Sequence, residues 1–292
     1  MPSSTSPEIP DLSARTTSGD PWFCVNCANE YAPAVDPPAE CLICTDEREF
    51  VPPDGQQWAR PADFDERTID CSELEPDLLA ITLDPQVGIG QRTFLIRTSV
   101  GNLLWEPPGY IDESLVRLIG SHGGISAIAS SHPHLVGASV SLSHEFDSVP
   151  VYFNQADATS LTRPDDVIRF WTHRQPVFGG IELAQCGGHF PGSSVLLWPD
   201  GGNGRGAIFV GDTLMVGADR RSVSFMRSYP NLIPLPPRLV RKIEATVMAL
   251  SFDRIYGGFD GQVIESNGPA IVQFSADRYV GWVTDELRDR SE

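Results

Sequence analysis

The chain has 292 residues, 41% of them hydrophobic and 21% charged, and a formal net charge of −18. A chain of that length buries roughly three quarters of its unfolded surface, so no disulfide framework is needed to make up for a small core. The charge argues against a nucleic-acid backbone or an anionic membrane surface as partner, and leaves a small-molecule substrate as the expectation.

Residues 1–21 are rich in Ser, Thr and Pro and carry no hydrophobic signal core, so a disordered tail on a cytosolic protein is expected. No run of about 18 apolar residues follows anywhere, which excludes a membrane-spanning helix. In residues 22–58, Cys24-Val25-Asn26-Cys27 and Cys41-Leu42-Ile43-Cys44 form two C-x-x-C pairs across a short proline-containing loop. Each pair can aim two thiolates at one point, and two pairs complete a tetrahedral four-sulfur site. A structural Zn2+ centre that folds a segment too small to fold alone is one reading, and a rubredoxin-like iron centre is the other. Ala28 and Thr45 stand where rubredoxin knuckles usually have Gly, which favours zinc.

Residues 59–78 are acidic, show no clear periodicity and read as a linker, with Cys71 in it as an inert small hydrophobe. From residue 79 the pattern is strand-rich. Residues 94–98 and 102–105 flank Gly101 as a hairpin. Asp112 suits the N-cap of a helix through Leu115, Val116, Leu118 and Ile119. An apolar run at 125–129 then reads as a buried strand leading into Ser131-His132-Pro133-His134-Leu135-Val136-Gly137. If the strand continues, His132 and His134 leave it on the same side and present two imidazoles as half of a metal site. Strands follow at 149–153, 181–186, 194–198 and 206–210, a helix carries Leu239, Ile243, Val247 and Leu250, and a short strand and a closing helix complete the chain. Strand runs with attached helices predict a layered α/β architecture.

Strand–His-x-His, then Gly188-His189-Phe190-Pro191-Gly192-Ser193, then Gly211-Asp212-Thr213-Leu214, then a helix and a short strand, resembles the metallo-β-lactamase superfamily over residues 79–292. The resemblance implies a four-layer αββα sandwich with a small N-terminal four-cysteine metal-binding domain. It implies His132, His134 and His189 as metal ligands, and Asp212 as a fourth ligand or the orienter of a catalytic water. The family's second metal needs an Asp-His pair just after the first motif and a histidine near the last strand. Here those places hold Val136, Gly137 and Gly257-Gly258-Phe259, so a mononuclear Zn2+ or Fe2+ centre is expected. Arg227 and Tyr229 follow the Asp212 strand and are candidates for binding a substrate carboxylate and polarising a carbonyl. His122, His144 and His173 read as structural, and Cys186 as core packing with a minor redox role left open.

Three functions fit this reading. One is a metal-dependent hydrolase acting on an ester, thioester or amide. The second is a mononuclear iron oxidoreductase of the same fold. The third is a binding protein that has lost the second metal site and catalysis.

Overall fold

The computed structural model describes residues 19–290, so all but the end of the expected tail lies outside the described residues. The chain divides after Thr172 into two units. The first unit opens with a three-stranded antiparallel sheet in the order β2-β1-β3, from β1 (Trp22–Cys24), β2 (Glu30–Tyr31) and β3 (Trp58–Ala59). Tyr31 and Trp58 meet edge-to-face at 4.9 Å above the cysteines, giving this small sheet an apolar lid of its own.

A seven-stranded sheet follows: β4 (Thr68–Glu75), β5 (Leu78–Asp84), β6 (Thr93–Thr98), β7 (Gly101–Trp105), β8 (Ala127–Ala129), β9 (Val151–Asn154) and β10 (Ile168–Trp171), side by side in chain order. The first four pair as an antiparallel meander, and β7 to β10 pair in parallel through crossovers. The stretch read as a linker is therefore partly wrong in kind. Thr68 to Glu75 is an edge strand whose Thr68, Asp70, Ser72 and Glu73 side chains are exposed, a composition that suits an edge and hides the apolar alternation. Leu78, Leu79, Ala80 and Ile81 on its neighbour are all buried.

Two helices serve this sheet. In α1 (Glu113–Ser121), Asp112 accepts the Leu115 N–H at 2.8 Å, so the expected N-cap is made, and Leu115 and Ile119 enter the core. Helix α2 (Ser139–Glu145) begins at Ala138, which has no side chain to cap it. Its free N–H groups are satisfied from far away in sequence. The Glu30 carboxylate, 1% exposed, accepts from the Val140 N–H at 2.5 Å, the Ser141 N–H at 3.2 Å and the Ser141 hydroxyl at 2.6 Å. Arg163, also buried, pairs with the same carboxylate and offsets its charge.

The second unit holds a six-stranded sheet in the order β11-β12-β13-β14-β19-β20. Its first strands are β11 (Arg174–Pro176), β12 (Glu182–Gln185) and β13 (Ser194–Trp198). A single glycine-rich turn, α3 (Gly201–Gly204), then leads to β14 (Ala207–Phe209). Two hairpins follow, β15 (Met215–Val216) with β16 (Val223–Ser224), and β17 (Met226–Ser228) with β18 (Ile233–Pro234). Helix α4 (Pro237–Met248), β19 (Arg254–Tyr256), β20 (Val263–Ile264) and helix α5 (Gly268–Val283) close the unit. Val240, Ile243 and Val247 recur at helical spacing on α4 and are buried together with Val272, Ala276 and Val280 of α5. Among the described residues, no helix is long and apolar enough to cross a membrane.

Candidate metal centres

Cys24, Cys27, Cys41 and Cys44 are all buried and converge, with Sγ separations of 3.5 Å for Cys24–Cys44 and 3.6 Å for Cys27–Cys41. A tetrahedral ion with metal–sulfur bonds of 2.3 Å needs sulfurs about 3.8 Å apart, so the cluster is already the right size. Each sulfur also receives one neutral side-chain donor: Gln56 on Cys24 at 3.2 Å, Asn29 on Cys27 at 3.5 Å, Tyr31 on Cys41 at 3.3 Å and Asn26 on Cys44 at 3.4 Å. Donors without charge leave the compensation of four thiolates to a cation. Hydrogen bonds, that with Cys27 first, hold Cys24 far below the ordinary thiol range, while the same pairing pushes Cys27 well above it. A bound divalent ion removes that opposition.

Glu49 lies near this cluster, 7% exposed, and burial raises its carboxyl to about 7. The folded carboxyl therefore holds its proton more tightly than the unfolded one. Its stability contribution is fully present below the ordinary carboxylate value of 4.5 and is lost as pH rises through about 7. Glu49→Gln should remove up to about 3 kcal/mol of pH dependence between roughly pH 5 and 8, read from urea unfolding beside the wild type. Parallel stability curves for the two proteins would contradict this.

In the first unit, His132 and His134 are 3% and 2% exposed, with ring centroids 4.9 Å apart. They meet by a route other than strand alternation. Strand β8 ends at Ala129, His132 is extended, and Pro133–Leu135 is a single 3-10 turn with Pro133 at its first position. The proline presets the turn dihedral and lacks the N–H that a first turn leaves unsatisfied. Ser131 Oγ lies 2.7 Å from His132 Nδ1, and the Ser131 N–H donates to Glu106 Oε2 at 3.2 Å.

The positions expected to lack second-site ligands have a packing explanation. Val136 is 6% exposed in the apolar core. Gly137 has φ of +50°, and a Cβ there would lie 2.4 Å from the Pro107 carbonyl oxygen and 2.6 Å from that of Pro108. No side chain fits. Gly137→Ala should cost about 3–5 kcal/mol in chemical unfolding, because left-handed strain and a backbone clash add. A variant as stable as wild type would show that the turn yields.

In the second unit, His189 and Asp212 are 1% and 7% exposed, and His189 Nε2 lies 3.9 Å from Asp212 Oδ2. His189 Nδ1 is 3.3 Å from the Met226 carbonyl oxygen, which can only accept, so the proton sits on Nδ1 and Nε2 is the basic nitrogen of the ring. Asp212 lies in the 3-10 turn Gly211–Thr213 directly after β14. Tyr229 does not suit the substrate contact expected for it. Its hydroxyl lies 3.1 Å from the Asp212 carbonyl oxygen and 3.3 Å from that of Ser224, and its ring is tilted 5.8 Å from His189. It braces both residues. Arg227 is half-buried on β17.

The remaining candidates fall to structural roles. His144 pairs with Asp165 at 3.2 Å, His122 ends α1 and its carbonyl accepts from Asn102, and the His173 N–H donates to Gln185 in a turn. Burial pushes the Cys186 thiol up to about 12, which removes the thiolate that redox chemistry would need. Asn26, Asn29, Gln56, Glu30 and Glu106 were not singled out by sequence, because their partners lie up to 133 residues away and a lone polar residue carries no spacing signal.

No protein-family model matches the chain. It is 40% identical over 273 residues to the uncharacterized protein YmaE of Bacillus subtilis (strain 168), across 91% of this chain and 98% of that one. Among solved structures, the metallo-β-lactamase-type structure VMB-1 superposes with a TM-score of 0.56 at 12% identity, covering 75% of this chain and all of that one. A B3 metallo-β-lactamase with an active-site glutamic acid gives 0.53 at 16% identity, covering 75% and 92%. The likeness shows the fold, which is the mixed α/β metallo-β-lactamase fold with a four-cysteine cluster at its N-terminal end.

Proposed function

We propose that this chain, which belongs to the family of the Bacillus subtilis protein YmaE and carries the metallo-β-lactamase fold, is a metal-dependent hydrolase with one mononuclear centre held by His132, His134, His189 and Asp212. The observation that carries the reading is that each unit offers a buried pair of ligand side chains, with His189 already oriented through its second nitrogen. Buried imidazoles and a carboxylate suit Zn2+ or Fe2+, and three histidines with one carboxylate can leave a position for water. When bound, such an ion lowers the pKa of its water to about 7 and supplies hydroxide for attack on an ester, thioester or amide carbonyl.

The residues of the chain do the rest. The Met226 carbonyl fixes the His189 tautomer, and Tyr229 holds the Asp212 main chain. Asp212 accepts the proton of the attacking water or holds that water in line for the carbonyl, and the Arg227 fork is the candidate for binding a substrate carboxylate. One ion rather than two is supported by Val136 and by Gly137, where no ligand side chain fits. The substrate is a small molecule, since the net charge of −18 opposes a phosphate backbone. The cysteine centre, whose thiols form no disulfide, suits a reducing cytosolic compartment.

The test is a panel of chromogenic esters, thioesters and anilides offered to the metal-loaded chain beside His134→Ala and His144→Ala. Hydrolysis of at least one class, lost in the first variant and kept in the second, is expected. No turnover of any class, or equal turnover in all three proteins, would refute the proposal.

A further inference from the structure

In the first unit, two consecutive residues join the four-cysteine cluster to the turn that carries His132 and His134. Asn29 is fully buried directly after the cysteine knuckle and uses both ends of its amide. Its Nδ2 donates to Cys27 Sγ at 3.5 Å, to the Pro133 carbonyl at 3.1 Å and to the His134 carbonyl at 3.4 Å, while its Oδ1 accepts the Gly137 N–H at 3.0 Å. The next residue continues the seam: the Glu30 N–H donates to the Gly137 carbonyl at 3.3 Å, and its carboxylate caps α2. The Asn29 amide nitrogen therefore meets a cysteine sulfur and the carbonyls of the histidine turn together, and its oxygen holds the end of that turn at Gly137.

Packing makes this seam rigid. A Cβ at Gly109 would lie 2.1 Å from the Ala28 Cβ, and one at Gly88 would lie 2.5 Å from the same atom. Ala28, with φ of +60°, is thus clamped between two glycine turns directly before Asn29. The Gly137 backbone, at the place where a second-site ligand would stand, is used instead to receive the knuckle.

We propose that Asn29 is a positioning residue that couples the four-cysteine centre to the His132–Gly137 turn, so that metal on the cysteines sets the geometry of the two histidines. The chain then binds its histidine metal well only when the knuckle is loaded. The part concerning histidine metal rests on the proposed function. The part concerning the turn does not.

The experiment uses the full chain loaded with Co2+, whose thiolate charge-transfer band reports the cysteine centre separately from a nitrogen-and-oxygen centre. Asn29→Ala should keep the thiolate band, bind its second cobalt roughly 10- to 100-fold more weakly, and exchange the Gly137 amide roughly five- to tenfold faster. Asn29→Asp keeps an acceptor for the Gly137 N–H and should restore protection of that amide without restoring cobalt affinity. Unchanged affinity and exchange in Asn29→Ala overturn the coupling while leaving the hydrolase reading intact. Loss of the thiolate band as well overturns it in favour of a general structural role. If the wild type binds only thiolate-ligated cobalt, the hydrolase reading fails, and the amide exchange alone decides the link.

Discussion

Cys41→Ser should abolish the cysteine centre and leave a chain that does not fold stably at 37 °C. The substitution removes one of four converging thiolates and leaves a hydroxyl in its place, which is a poor zinc ligand. Binding at four-cysteine sites is worth on the order of 10–16 kcal/mol in peptides, against a total stability of roughly 5–15 kcal/mol for an ordinary domain. The loss reaches beyond the small sheet, because Asn29 and Glu30 hold the histidine turn and the α2 N-terminus from there. Soluble yield, urea unfolding and metal content measure the effect. Cys71→Ser is the matched control, since that cysteine is half-buried on an edge strand, and its change should stay within about 1 kcal/mol. A Cys41→Ser protein as stable as that control would mean that the knuckle folds without metal.

His132→Ala should cost the second centre. Removal of a ligand exceeds the 10- to 100-fold affinity loss typical of an outer-shell partner, so more than about a 100-fold loss is expected. Hydrolysis should fall by about a thousandfold, as the several kcal/mol supplied by a bound ion disappear. The fold should survive, because the imidazole sits at a loop and its neighbours are held through their backbones. Isothermal titration with Zn2+ and the ester panel measure both effects, with His173→Ala, exposed in a turn, expected to match the wild type.

The sequence showed what repeats or pairs locally. The two C-x-x-C knuckles, the Gly101 hairpin, the Asp112 cap and the α4 stripe all follow from residues within one or two turns of each other, and the structure has them in place. The histidine pair was also legible, but its geometry was not, since Pro133 starts a 3-10 turn where alternation had suggested an extended strand. Strand β4 escaped because an edge strand carries polar residues on purpose. Tyr229 was assigned to substrate because a single sequence does not show that its hydroxyl faces the backbone of Asp212. The seam through Asn29 and Glu30 joins positions more than 100 residues apart and has no local signature.

Counting metal ions per wild-type chain by native mass spectrometry tests the central claim most directly. Two are expected, the histidine-held one alone lost with His132→Ala and both lost with Cys41→Ser. A single ion carried by the cysteines would contradict a second metal centre, and three ions would contradict a mononuclear one.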